Sequence, residues 1–475
     1  MGDASLVSDT PVEQLLERVD AIEEADTINQ DGLWAKVCSE RPDTALTALV
    51  QSGRAGNWPA RRWREFLSQT LTSFSDGIDD SQVTTVVDAL TLMPDATLTA
   101  VLPTLGVWLK SLVHADWHAA LRPIILRAWD RLMAGVLILP EDEQRRRGGQ
   151  PDLAHESLNH PAGDVATVLI AVQDKSPKAE AGSLAADLAP RFEQVLQISG
   201  PVRILALVRL AQELPFFMWL APVWAEEHLC REFDRADTDA RQLLAMLFIY
   251  GRPYSVPLFN RLKPLICGSL VDPGMTENAR DRLAQFITWI IGLKMAGNND
   301  VNLTEAEARQ LLTRSPPSGL RSVAWGLWRS LLPEESGERR EEEPQRDLWR
   351  ERIKPFLERV WPNDVVARDA RVSNMLIKIP AATGPHLPDA VALIIRLIVP
   401  GTLHSSIFDL GLHEKEQLIE QFPRELLDLA HAAIDFNEPM PYDLPQFLQA
   451  LIGAAPELRD DPRYAALLAA SRRFQ

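Results

Sequence analysis

The segment Pro201–Leu214, PVRILALVRLAQEL, most restricts what this chain can fold into. Set on a helix, its strongly polar residues Arg203, Arg209, Gln212 and Glu213 fall within one half-turn. Leu207, Val208, Leu210, Ala211 and Leu214 cover most of the rest, so little of the helix can face water. Such a helix needs neighbours on several sides, which places it in the middle of a layered array. The following segment, PFFMWLAPVWAEEHL, carries Phe216, Phe217, Trp219 and Trp224 and reads as part of the same buried region.

The remainder of the chain repeats this helical pattern. Apolar residues recur at helical spacing in Pro11–Ile22, Leu98–Val113, His118–Val136, Asp237–Tyr250 and Val256–Leu270. Glu277–Met295 sets Leu283, Phe286, Ile287, Ile290 and Ile291 on one face. Thr304 and Glu307 predict a capping box for a helix over Glu305–Thr313. No Asn-Gly hairpin flanked by alternating runs occurs, so strands are not expected. The expected fold is all-α: a degenerate helical-repeat (HEAT-like) array or α-solenoid in two or three pieces. An apolar residue stands two before Pro103, Pro123, Pro190, Pro264 and Pro355, with apolar residues following. The irregular gaps allow no strict period. The prolines mark either a degenerate helical-pair unit or helix starts and kinks that share a residue type.

A chain of 475 residues exceeds what one core holds. Two polar stretches suit boundaries: Glu141–Asp152 (EDEQRRRGGQPD) and Glu334–Asp347 (EESGERREEEPQRD). They imply an N-terminal helical segment over 1–150, a central domain over 151–335 and a C-terminal domain over 348–475.

The formal net charge of −17 opposes nucleic-acid binding, which rests first on a basic surface. Cys38, Cys230 and Cys267 lie far apart, which suits a reduced, cytoplasmic protein without structural zinc. Met1–Thr10 is polar and acidic rather than basic then apolar, unlike a secretory signal. The uncharged apolar runs near Leu214–Ala225 and Leu243–Gly251 are shorter than the roughly 20 residues a membrane span needs, so no span is expected.

Chemical motifs are sparse. His155-Glu156-Ser157-Leu158-Asn159-His160 resembles the zinc-binding HExxH pattern with one residue too many. Histidines five apart do not share a helix face, so no metal site is expected. The stretch reads instead as a structural turn built by Asn159, His160, Pro161 and Gly163, with Asn159 capping a helix over Val165–Val172. Arg145, Arg146 and Arg147 are candidates for a partner surface, although a short arginine run beside acids is commonly just solvated. No phosphate-cradling or dinucleotide glycine loop and no nucleophile elbow occurs, so neither catalytic nor cofactor-binding residues are assigned. Trp108, Trp129, Trp219, Trp289 and Trp325 stand in apolar runs and are expected in the core. Trp34, Trp58 and Trp361 stand near turns and are expected at the surface.

SLNHPAG, LAPRFEQVL, ALVRLAQELPFFMWLAPVWAEEHL, LFNRLKPL, FLERVWPND, QFPRELLDLAHAAI and PQFLQALIGAAPELRDDPR follow one another over about 157–463. In that order they resemble the C-terminal helical region of bacterial defence-associated sirtuin-like proteins. The resemblance implies a non-enzymatic sensor that recognises a phage protein and controls an effector such as an NAD-hydrolysing sirtuin-like domain. This chain has no glycine-rich nucleotide loop and no alternating strand–helix segment. The effector is therefore expected on another domain or chain, and no catalytic residue carries over. The rival expectation is a general protein-interaction scaffold without a defence role. Neither reading involves nucleic acid, a membrane or a cofactor, and both leave an oligomer open.

Overall fold

The computed structural model describes residues 7–472 apart from 26–31, 72–78, 118, 141–152, 176–181, 236, 252, 271, 273, 296, 333–346, 365–367, 402, 404–405 and 411–415. Among the described residues the regular elements are all helical, as the periodicity requires. They form two compact units, Met1–Arg252 and Pro253–Gln475.

The longer helices of the first unit are Leu15–Ala25 (α1), Leu33–Glu40 (α2), Pro42–Arg54 (α3), Ala60–Thr70 (α4), Asp80–Leu92 (α5) and Asp95–His114 (α6). Arg122–Leu137 (α7), Leu153–Leu158 (α8), Pro161–Asp174 (α9), Ala189–Leu196 (α10), Arg203–Gln212 (α11), Leu214–Leu220 (α12) and Thr238–Tyr250 (α13) follow. Helices two places apart pack on one another, and several also pack on their immediate neighbours, as α6 does on α7. α2, α4 and α6 form one row and α3, α5 and α7 a second. α9 then packs on both α6 and α7, α11 on α9, and α13 on α11.

α11 is the middle helix that its sequence predicts. Ile204 to Val208, Leu210 and Ala211 are all buried, held by α8, α9 and α13. Each large aliphatic side chain buried there contributes about 1.5–3 kcal/mol relative to exposure. α6 alone among the described helices is long and apolar enough, by length and composition, to cross a membrane. Asp95 and Lys110 bound its uncharged run, which falls short of the roughly 20 residues a membrane span needs. In the fold it is a core helix, with Leu98, Val101, Leu102, Leu105, Trp108 and Leu109 buried.

The second unit contains Val256–Ser269 (α14), Glu277–Met295 (α15), Glu305–Arg314 (α16), Pro317–Leu331 (α17), Lys354–Arg359 (α18) and Ala370–Leu376 (α19). Leu387–Ile394 (α20), Pro423–Ala433 (α21), Leu444–Ala454 (α22) and Pro462–Ser471 (α23) follow, with short helices at Ile379–Ala382 and Glu416–Gln421 besides. α17 packs on α15 and α19. α16 begins with the expected capping box: Thr304 Oγ1 accepts from Glu307 N, and Glu307 Oε2 accepts from Thr304 N. Lys263 on α14 reaches Glu307 at 2.6 Å, and the two sets of contacts hold the Glu307 carboxyl down at about 2.

The compact units divide at 252/253 rather than near 150 and 335–348. Polar, glycine-bearing stretches mark where the chain leaves the core, but the core itself continues across both. Trp129 on α7 donates its indole N–H to Val165 O on α9 at 2.8 Å, across 141–152. α17 packs on α19 across 333–346. The five recurrent prolines serve two purposes: Pro123, Pro190 and Pro355 stand in the first turn of a helix, whereas Pro103 and Pro264 lie inside one.

Candidate functional site

The sequence-singled turn is a junction of α8, α9 and α11. Its cap is His160, not Asn159: His160 Nδ1 accepts from Ala162 N at 3.0 Å, and Pro161 opens α9. Asn159 instead points back, its Nδ2 donating to His155 O at 2.8 Å. The helix starts four residues before the expected Val165, because Pro161 suits a first turn and Ala162 and Gly163 are small enough to be buried there. Ser157 Oγ, fully buried, donates to Leu205 O on α11 at 2.6 Å. Ser157 thus ties the turn to α11. Arg145, Arg146 and Arg147 lie outside the described residues.

His160→Ala is expected to lower stability by about 1 kcal/mol, the usual cost of a lost cap, and Asn159→Ala by less than half of that. Thermal melts of the two variants check the assignment. The reverse order would return the cap to Asn159.

One turn further along α9 stands Asp164, buried against α6 where Gly106 leaves room. A Cβ on Gly106 would lie 2.0 Å from Asp164 Oδ2. Lys110 Nζ pairs with Asp164 Oδ1 at 2.5 Å and donates to Leu158 O at 2.7 Å. Burial pushes the Asp164 carboxyl up to about 6, against the opposing pull of Lys110 and Arg209. The folded state therefore binds a proton that the unfolded chain, near 3.8, has released. Between pH 4 and 6 stability should fall as pH rises, by at most ~3 kcal/mol from this group. Denaturation midpoints across that range should flatten in Asp164→Asn. An unchanged slope would mean that water reaches the carboxylate.

Beside this pair opens a hollow of about 320 Å³, lined by His114, Lys175, Arg209, Asp174, Glu213 and Phe216. Arg209 Nε donates to Thr167 Oγ1 at 3.1 Å, and its other arm to Gln212 Oε1. Burial lowers the Arg209 and His114 pKa values, and the neighbouring Lys175 and Lys110 lower His114 further. Phe216 joins the hollow to an aromatic surface: its ring contacts Phe217 and Trp219 at 5.5 and 6.4 Å. Trp219 is 74% exposed and Val223 66% exposed. The aromatic stretch is therefore not buried all round, as its composition suggested. Pro215 and Pro222 were the overlooked signal, because they cut it into the short α12 and a second helical piece that starts at Pro222 and runs on as a π-helix over Ala225–Cys230. Only one side of α12 and of the first turn after Pro222 faces the core.

The other tryptophans also depart from expectation. Trp34 and Trp361 are buried, Trp58 is half-buried and stacks on Trp63, and Trp325 is 51% exposed. Proximity to a turn says little here, since Trp34 finds a buried acceptor in Arg62 O at 3.0 Å. Trp108 and Trp129 are in the core as expected.

Burial raises the Cys38 and Cys267 thiols and keeps them protonated. Among the described residues no three His, Cys, Asp or Glu side chains are placed to hold a metal ion. No family model, curated protein or solved structure matches the chain.

Proposed function

We propose that the chain is a non-enzymatic recognition and regulatory module of an antiviral defence system. In this reading the first unit engages a phage protein and thereby controls an effector, such as a sirtuin-like NAD hydrolase, on another domain or chain. The observation that supports recognition is the surface of Phe216, Trp219 and Val223 beside the mixed-charge hollow of Arg209, Lys175, Asp174 and Glu213. Exposed tryptophan in an apolar patch rimmed by polar groups is the composition of a protein-binding hot spot. It suits a partner that offers an apolar pocket with polar groups of either sign at its rim. The defence role rests on the resemblance carried by SLNHPAG and the segments that follow it. Control of an effector requires the ligand to favour one packing of the helices, by about 5.5 kcal/mol to invert a 1:99 population.

Expression of the chain with its neighbouring reading frames in a phage-sensitive host tests the proposal. Plaque formation should fall, and Trp219→Ala should restore it while the purified variant melts at the parental temperature. Folded, expressed protein that protects with no combination of neighbours would favour the scaffold reading instead.

A further inference from the structure

We infer that a cleft in the second unit binds a small amphipathic anion, an aromatic carboxylate with an apolar body of about two rings. The cleft holds about 590 Å³, within the size range of small-molecule sites. Residues of α15, α17 and the π-helical turn Trp349–Ile353 line it. π-turns are rare and recur at functional sites, and this one supplies Arg352 and Ile353 to the wall.

The chemistry of the lining selects the ligand. Tyr254, Trp289 and Trp325 provide broad aromatic faces, with Tyr254 edge-on to Trp289 at 5.4 Å and Trp289 stacked on Phe286 at 5.8 Å. Between them the wall is bare: Gly292 and Gly326 line the cleft, and a Cβ added to either meets nothing within 4 Å. Thr288, Ser322 and Ser330 spend their hydroxyl protons on Ala284 O, Ser318 O and Leu327 O of their own helices. The charge left without a partner is cationic. Arg352 has no carboxylate partner among the described residues, and the indole N–H groups of Trp289 and Trp325 have no acceptor among them. An apolar cleft with a cation that no carboxylate neutralises favours a flat apolar body with an anionic head. The acidic balance of the whole chain makes this local preference a property of the site rather than of the surface at large. None of the residues in the Trp219 surface takes part, so the two proposals stand or fall separately.

Naphthalene-2-carboxylate and the neutral 2-naphthalenemethanol, titrated calorimetrically into the full chain, form the test. The acid should bind about tenfold more tightly than the alcohol, as expected when a guanidinium pairs with the carboxylate. Gly292→Leu and Gly326→Leu place a side chain in the open space and should each weaken the acid by about tenfold or more through lost room. Both sit inside helices, where leucine is the better helix former, so unchanged melting temperatures are expected. Arg352→Met should erase the preference for the acid, and Arg352→Lys should keep part of it. Equal affinity for acid and alcohol, absence of binding, or binding indifferent to both glycine substitutions would overturn the inference.

Discussion

Arg62→Met is expected to destabilise the first unit by about 3–5 kcal/mol, the usual penalty for breaking a buried ion pair from one side. Arg62, 4% exposed on α4, gathers three carboxylates. Its guanidinium donates to Glu23 at 2.8 Å and Glu65 at 3.2 Å, and also to Asp20. It lies over the Trp34 ring at 5.9 Å, while Glu23 Oε1 accepts from Trp34 N at 3.2 Å. One side chain thereby joins α1, α2 and α4. These bonds together hold the Arg62 pKa above its already high ordinary value, although burial acts against them. The methionine variant retains the apolar stem but leaves the buried Glu23 with only the Trp34 N–H and the more distant Arg61, 3.7 Å away. Adding Glu23→Gln should recover a substantial part of the loss, because the stranded charge is then gone. Denaturant unfolding, read at the first transition, measures both. A loss below about 1 kcal/mol in the single variant would place the cluster with solvent-screened surface pairs.

Gly163→Val is expected to cost about 3 kcal/mol or more, at the upper end for forced overpacking. A Cβ at this position would lie 1.9 Å from Ser157 O and 2.8 Å from Ser157 Oγ. The obstacle is backbone, not the far end of a flexible chain. Any relief would move Ser157 off Leu205 O and so disturb the contact between α8 and α11. Gly268 on α14 provides the contrast, since an added Cβ there meets nothing within 4 Å. Gly268→Ala should therefore leave the melting temperature unchanged or raise it slightly, through better helix propensity. Similar melts for the two variants would mean that α8 can yield at Ser157 without loss.

These two sites show which parts of the molecule were legible in its residues. Helix existence was, because periodicity over ten or more residues survives any packing: Glu277–Met295 appears with its expected ends, and the helix expected over Asp237–Tyr250 runs from Thr238 to Tyr250. The capping box at Thr304 was legible because it is local. The cap at His160 was not. Asn159 is the commoner capping residue, and only the path of the chain around Ser157 decides that it turns back to His155. The Arg62 cluster joins residues up to 42 positions apart, beyond the reach of any spacing rule. The unit boundary was hidden for a related reason. Loop composition reports where the backbone meets water, whereas the core contact of Trp129 with Val165 depends on which helices stack. Exposure of Trp219 and Trp325 was lost to the assumption that an apolar run is apolar all round. α12 is too short for that, and α17 turns Trp325 toward a cleft.

Recognition of a phage protein through the Trp219 surface is the central claim, and site-specific photocrosslinking tests it most directly. The photoreactive amino acid p-benzoylphenylalanine replaces Trp219 in cells carrying the complete system, and Leu92, 68% exposed, serves as an apolar control position. Irradiation during infection should join the chain, through position 219 alone, to one phage-encoded protein identified by mass spectrometry. The same host protein captured with and without infection, or equal capture from position 92, would contradict the account.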